Sequence, residues 1–310
     1  GKNDLSYQAS GQVALLALKT GRPVRMTFSH EESAIAGYMR DAMNMHVQLG
    51  ADADGALRAC LFNATMDSGA YPAGSLNTTW RATIHAMGPY RYNACQVDVQ
   101  SVYTNNGYSG AFRGFGVPQV NFAYERQMDE IARKLGISPY ELRKKNVMKN
   151  GDPLSTGFIP EGHVALDNLL DAVWEKLNGE PKRDRLPDGR KIGRGIACGM
   201  MGYGRLCFMH DNSRVGLRIE LDGSVTLRAG VPDLGGGQSS VLAQITAEEL
   251  GLRIEDVHPY IMDTHLTPLC GTTTATRQLY MSGNACLEAV KPLKQRLAAK
   301  AAELLTLIER

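Results

Sequence analysis

Residues 8–20 carry apolar side chains at helical spacing and run into Gly21, a pattern that predicts a helix stopped by that glycine. After Arg22 and Pro23, the β-like run at 24–28 predicts a strand. Residues 43–50 alternate in polarity, 51–55 (ADADG) supply a turn, and 56–66 resume, which together predict a hairpin. A third strand is expected over 95–103, ahead of a glycine-rich loop at 107–118. Residues 119–135 then predict a long amphipathic helix ended by Gly136, and Ser138 with Glu141 has capping-box spacing for a short helix.

Residues 149–166 and 178–190 are rich in glycine, proline and charge, and they flank a short helix over 166–177. That change in texture predicts two parts, 1–165 and 166–310. The second opens with a glycine-rich strand at 192–200 and a hairpin over 213–230 turning at Asp222-Gly223. Gly235-Gly236-Gly237, a helix over 238–250, a strand near 257–262, a threonine-rich loop at 271–276 and a closing helix follow. Both periodicities occur in each part, so the fold class is α+β (mixed α/β).

Composition narrows the function classes. A hydrophobic share of 43% with 21% charged residues is that of a globular chain, and 310 residues suffice for two domains. A net charge of +2 provides no field for nucleic acid or an acidic membrane. No apolar run approaches the roughly 18 residues needed to span a bilayer. The start lacks signal-peptide anatomy and opens at Gly1 as if cut within a domain, so a cytoplasmic piece of a longer chain is expected. Cys60, Cys95, Cys198, Cys207, Cys270 and Cys286 lie far apart with no C-x-x-C, which argues for buried thiols over an iron–sulfur or zinc site. The seven histidines show no metal-ligand spacing, and G-x-S-x-G is absent.

Three loops carry candidate chemistry. In Gly110-Ala111-Phe112-Arg113-Gly114-Phe115-Gly116, glycines let backbone approach a ligand while an arginine can fork onto an anion and an aromatic face can stack. The alternative is a tight turn with its phenylalanines in the core. Gly235, Gly236 and Gly237 open a helix, where unbonded N–H groups would suit an anion, although glycine runs are also plain loops. Thr272, Thr273, Thr274, Ala275, Thr276, Arg277 and Gln278 offer hydroxyls and N–H groups to a polar multi-ring ligand, or a helix cap with surplus threonines. No G-x-G-x-x-G follows a first strand, so a Rossmann site is not indicated.

In order along the chain, these loops resemble the molybdenum-binding large subunit of the xanthine oxidase and aldehyde oxidase family. GAFRGFGVPQ (110–119) is the most specific element, resembling the family's AFRGFG-x-PQ. GKNDLSYQ at the start, TGRPVR (20–25), DSGAY (67–71), MGPY (87–90), VYTNN (102–106) and ELRKKN (141–146) accompany it. Residues 222–251 and TTTATRQLYMSGNA (272–285) resemble the second and third cofactor loops with their helices.

The resemblance implies a two-part molybdopterin-binding domain holding molybdenum through a pterin dithiolene, with no direct protein ligand to the metal. The pterin is expected as molybdopterin, possibly in its cytosine dinucleotide form. Water-derived oxygen enters a C–H bond, and electrons leave through 2Fe-2S clusters to FAD on partner subunits or domains. By position, Phe112 and Arg113 border the metal centre and pterin, Phe115 stacks on an aromatic substrate, and Arg40 orients it. Leu234, Gly235, Gly236, Gly237, Thr273, Thr274, Ala275, Thr276, Arg277 and Gln278 contact the cofactor, with Ala275 near the metal.

The departures shape the expected substrate. Asn3 replaces the glutamate of a GKE motif, which keeps N-heterocycle binding but weakens the case for xanthine. Gly236 stands where many members have the glutamine of G-Q-G, removing one cofactor contact. The family's general-base glutamate is expected beyond Arg310, and the phenylalanine of G-x-F-G-G-K before Gly1, so the chain alone is expected to be inactive. Glu180, in a superficially similar Asn178-Gly179-Glu180-Pro181, lies between the two parts and is not that base. The expected function is part of a hydroxylase for an aromatic N-heterocycle of the purine or nicotinate kind. An aldehyde-oxidising member and a non-catalytic cofactor scaffold are the alternatives.

Overall fold

The computed structural model describes residues 6–179, 184–204 and 211–308. The chain divides into two compact units, Gly1–Met201 and Gly202–Arg310. Each is a mixed helix-and-strand unit of the expected class.

In the first unit, helix α1 (Ser6–Thr20) ends where Gly21, at φ 64°, donates its N–H to Ala17 O at 2.9 Å. The strand expected at 24–28 is absent. Those residues pair with no described strand and lead into Ser29, which caps α2 (His30–Ala36) in a capping box with Glu32. A β-prone run becomes a strand only where an edge receives its ladder bonds. Strands β1 (Met39–Arg40), β2 (Ala42–Ala51) and β3 (Leu57–Asp67) follow, with β2 and β3 forming the expected hairpin. Helix α3 (Ser75–His85), which periodicity does not predict, returns the chain so that β4 (Ala94–Val102) lies parallel to β3.

The short strand β5 (Ser109–Gly110) pairs with β1 on one side and bridges Ala73 through Gly110. Helix α4 (Val117–Leu135) then covers the sheet, and its Val120, Tyr124, Met128 and Ala132 share one core with Phe62, Ala64 and Met66. Each fully buried large apolar side chain there contributes about 1.5–3 kcal/mol. The capping box at Ser138 and Glu141 opens α5 (Pro139–Asn146) as expected.

Helix α6 (Leu166–Gly179) buries Leu170 in this first core and stacks Trp174 on Tyr140 at 4.8 Å. The glycine-rich run at 192–200 is not a strand. Its Cys198 O instead accepts from Asn121 Nδ2 at 2.8 Å, and Ile196 and Cys198 join the same core. The described residues of 166–201 thus pack with the first compact unit, which ends at Met201.

The second unit holds the expected hairpin, β6 (Val215–Ile219) and β7 (Val225–Ala229), turning at Gly223 with φ 87°. Helix α7 (Gln238–Leu250) crosses back, β8 (Val257–Ile261) pairs parallel to β7, and α8 (Arg277–Ile308) closes the unit. The two units therefore repeat one plan. A hairpin precedes a helix capped by a left-handed glycine (Gly74 for α3, Gly237 for α7), a parallel strand, a loop with left-handed residues and a long helix. The loops at 110–116 and 271–276 occupy equivalent places in it.

Candidate cofactor site

Loop 110–116 is a locked turn. A Cβ on Gly110 would lie 2.0 Å from Ala73 O, one on Gly114 2.4 Å from Pro118 Cγ and one on Gly116 2.6 Å from Thr78 O. Within the loop, Phe115 N donates to Phe112 O at 2.7 Å and Val117 N to Gly114 O at 3.0 Å. Phe115 itself sits at φ 52°, where a side chain is strained. Phe112 and Phe115 are half-buried and Arg113 is exposed, so the loop is not simply a core turn.

Arg40 fixes that loop. Its Nη2 donates to Arg113 O at 2.5 Å, Nη1 reaches Gln119 Oε1 at 3.5 Å, and Cζ lies 5.0 Å from the Phe112 ring centroid. Partial burial lowers the Arg40 pKa, with the Asp41 carboxylate opposing the shift. The structure thus brings Arg40, Phe112 and Arg113 together, with Arg40 committed to the loop's main chain. Beside Arg40 lies a cleft of about 350 Å³ bordered by Ile35, Met39, Asp67, Asn106 and Tyr108.

In the second unit, the glycine loop differs from expectation. The N–H groups of Gly235 and Gly237 are not open, because Asp233 Oδ1 accepts from them at 2.9 and 3.1 Å. Desolvation opposes ionisation of Asp233, but N–H groups of Gly235, Gly237, Ser239 and Gly236 hold its carboxyl below the usual range. The positive end of α7 already has its anion. What stays accessible is space: a Cβ on Gly235 or Gly237 would meet nothing within 4 Å. Leu234 is exposed at this edge.

At Gly236 the space a side chain would take is filled by a neighbouring glutamine. A Cβ there would meet Gln238 Nε2 at 2.6 Å and Oε1 at 3.0 Å, so the Gln238 amide lies across the backbone that Gly236 leaves bare. Its Oε1 is buried and has no donor among the described residues. A glutamine one position beyond the glycine run was visible in sequence, but its fold back over Gly236 was not.

Loop 271–276 is organised from beneath. The buried Arg277 guanidinium donates to Thr272 O at 2.8 Å, Asn212 O at 2.7 Å and Cys270 O at 3.1 Å, and it pairs with Asp211. Thr273 Oγ1 donates to Gln278 Oε1 at 3.0 Å and approaches Pro232 O at 3.4 Å, tying this loop to the start of the glycine loop. Gln278 is buried as well, so Arg277 and Gln278 shape the loop, while Thr274, Ala275 and Thr276 remain at its surface. Ala275 and Thr276 stand at φ 47° and 57°, two consecutive left-handed residues. Asn3, Glu180 and Cys207 lie outside the described residues. Among the described residues no cluster of three metal-ligating side chains occurs, and no helix is long and apolar enough to cross a membrane.

Bare backbone at Gly235 and Gly237 beside the orphaned Gln238 amide oxygen is a lining that a flat polar ring with an N–H donor would fit. The comparisons with known proteins define the same class. The molybdopterin cofactor-binding domain is matched by two models, over residues 1–147 and 169–309. The chain belongs to this family, as part of the large subunits of the xanthine dehydrogenase and aldehyde oxidoreductase type. It is 36% identical over 309 residues to a probable xanthine dehydrogenase component of Bacillus subtilis, covering 98% of this chain and 40% of that protein. It is 43% identical over 176 residues to the nicotinate dehydrogenase large molybdopterin subunit of Eubacterium barkeri, covering 57% of this chain and 41% of that one. The aldehyde oxidoreductase structure from Desulfovibrio desulfuricans superposes with a TM-score of 0.73 at 28% identity, over 89% of this chain and 31% of that one. The chain therefore spans about two-fifths of the curated relatives it matches.

Proposed function

We propose that the chain forms the cofactor- and substrate-binding part of a molybdenum hydroxylase that oxidises an aromatic N-heterocycle of the nicotinate or purine class. The observation that carries this reading is where the backbone is strained. Of the four non-glycine residues with left-handed φ among the described residues, Phe115, Ala275 and Thr276 fall in the two loops assigned to the cofactor. Each such residue costs on the order of 1–3 kcal/mol, which a chain retains where a ligand needs that backbone.

When bound, the molybdenum carried by molybdopterin would accept the two electrons of the oxidation and deliver the water-derived oxygen. The chain's own residues bind and orient. Leu234, the bare backbone of Gly235 and Gly237, Gln238 lying over Gly236, and the hydroxyls of Thr273, Thr274 and Thr276 would hold the pterin, and the small Ala275 side chain would leave room beside it. Phe112 and Arg113 border the pterin in the first unit, Phe115 offers a wall for a flat substrate, and Arg40 acts mainly by fixing the Arg113 loop. Asn3 takes part in heterocycle binding. The cytosine dinucleotide form of the pterin, a glutamate base in the rest of the large subunit, and 2Fe-2S and FAD partners in the cytoplasm follow from the family resemblance.

An aldehyde-oxidising reading is favoured by one observation: the Arg40 fork is already occupied by Arg113 O and leaves less for a ring carbonyl. The test is to co-express the full large subunit with its iron–sulfur and FAD subunits and measure metal, pterin and turnover. Stoichiometric molybdenum with oxidation of nicotinate or hypoxanthine is expected. A metal-free complex, or turnover confined to aldehydes such as benzaldehyde, overturns the proposal.

A further inference from the structure

Three separate stretches of chain meet under the Arg113 loop: 39–41, 73–75 and 109–111. The ladder joining the first and third is only two residues long, with Met39 beside Ser109 and Arg40 beside Gly110. The second joins the third through Ala73 N to Ser109 O at 3.2 Å and Ala111 N to Ala73 O at 3.0 Å. A two-residue ladder is a weak clamp by itself, since short strands depend on neighbouring packing for their stability.

At the junction lies a carboxylate that no motif singled out. Asp41 is 1% exposed, and its Oδ1 accepts from Ser75 Oγ at 2.7 Å and from Ser109 Oγ at 2.8 Å. Its main-chain oxygen accepts from Gln119 Nε2 at 3.1 Å, and Gln119 in turn receives Arg40. One residue thus bridges β1, the first turn of α3, the residue before Gly110 and the first turns of α4. Its second oxygen, Oδ2, is buried with no donor among the described residues. A buried carboxylate oxygen left without a protein donor is costly to the fold, so its place at this junction calls for an explanation.

We infer that Asp41 is a positioning residue: its carboxylate holds Ser75 and Ser109 on one oxygen and thereby fixes the Arg40 fork and loop 110–116 in the orientation that the cofactor and substrate require. This rests on the proposed function for what the loop serves, but the fixing itself is a property of this chain. Arg40 ends β1 and Asp41 follows it directly, so any slip of the 39–41 stretch moves the guanidinium away from Arg113 O.

The test is amide hydrogen exchange of the large subunit, comparing Asp41→Ala, Asp41→Asn and wild type. Asp41→Ala should speed exchange at residues 114–117 by about tenfold or more, with β6–β8 of the second unit unchanged. Asp41→Asn keeps the oxygen that accepts both hydroxyls and should stay within about threefold of wild type. Uniform acceleration across the first unit, unchanged exchange at 114–117, or an Asn variant as fast as the Ala variant would each overturn the inference. Should Asp41→Ala not fold, Ser109→Ala removes one of the two donors and should produce a smaller acceleration at the same amides; none there would equally overturn it. In the holoenzyme, the Ala variant should lose molybdopterin while the Asn variant retains it. A wild-type complex that holds no molybdopterin would sink the functional reading and leave the exchange result standing.

Discussion

Arg277 separates two meanings of a site residue, because the family resemblance places it at the cofactor while the structure buries it within the protein. Replacing it with methionine keeps the length and apolar stem but removes donors to Thr272 O, Asn212 O and Cys270 O and the partner of Asp211. Removing one side of a buried ion pair costs about 3–5 kcal/mol because the other charge is left unpaired. The Asp211 side chain keeps 21% of its exposure and regains some water, so the lower end applies, about 3 kcal/mol. Three carbonyl oxygens also lose a donor, which keeps the figure from falling further.

For a unit of this size, 3 kcal/mol corresponds to a fall in Tm on the order of 10–25 °C. The assay is urea and thermal unfolding of the cofactor-free chain, following the second unit through exchange at β7. Arg277→Lys should recover little, since an ammonium cannot reach carbonyls on both sides as a planar fork does. Adding Asp211→Asn to Arg277→Met should recover roughly 1–2 kcal/mol by removing the unpaired charge. If Arg277→Met lies within about 1 kcal/mol of wild type, the guanidinium is not what orders this loop and a direct ligand role returns.

Gln238→Ala should lower molybdopterin content of the complete enzyme severalfold with unfolding of the cofactor-free chain unchanged, because its Oε1 has no partner to lose; equal content in both would refute a cofactor contact by Gln238. Thr276→Gly should raise stability by roughly 0.5–1 kcal/mol by relieving left-handed strain, measured by urea midpoint, and a loss would show the backbone there to be unstrained. Burial pushes the Cys60 thiol up to about 12, and the Cys198 and Cys286 thiols up to about 11, so iodoacetamide at neutral pH should modify exposed Cys95 well before these three. Their folded pKa values lie above the ordinary 9.0, so the stability they contribute is complete below about pH 9 and declines as pH rises toward 11–12; a urea midpoint flat from pH 7 to 11 contradicts this.

Periodicity found the elements whose burial is one-sided. The β2–β3 and β6–β7 hairpins and helices α4 and α7 each show one apolar face against a core, which is what alternation and the 3.6-residue spacing report. Helix α3 escaped because its buried residues include Ser75, Thr78, Thr79 and His85, polar side chains whose burial depends on hydrogen bonds to the preceding turn and to Asp41. Residues 24–28 and 192–200 failed for the converse reason, since local composition says nothing about whether a partner edge exists. The site loops were legible as places, because glycine spacing marks where backbone is bare. Which groups fill them was not: Asp233 at the α7 N-terminus, Asp41 under the Arg113 loop and Asp211 beneath Arg277 are single carboxylates in unremarkable sequence. Asp233 alone left a trace, an aspartate two residues before a glycine, which is the spacing of an Asx turn.

The repeated plan of the two units explains why those carboxylates matter. In each unit a parallel pair of strands delivers a loop to the start of a long helix, β3–β4 to α4 and β7–β8 to α8, and α/β sheets bind ligands at the carboxyl ends of such strands. Both loops carry left-handed non-glycine residues, Phe115 in one and Ala275 with Thr276 in the other, so neither would hold its shape by local preference. Each is instead braced from behind by an arginine that donates to main-chain oxygens: Arg40 to Arg113 O, and Arg277 to Cys270 O and Thr272 O. Each arginine has an aspartate close by, Asp41 as the sequence neighbour of Arg40 and Asp211 in contact with Arg277. With Arg40 and Arg277 spent on carbonyls, the loops present backbone, hydroxyl and amide groups in fixed directions, while Arg113 stays exposed on the first of them. In the second unit, where Asp233 occupies the α7 N-terminus and Arg277 is paired with Asp211, such a lining would suit a ring system with its own donors and acceptors better than an isolated phosphate, which favours an open helix N-terminus and unpaired arginines.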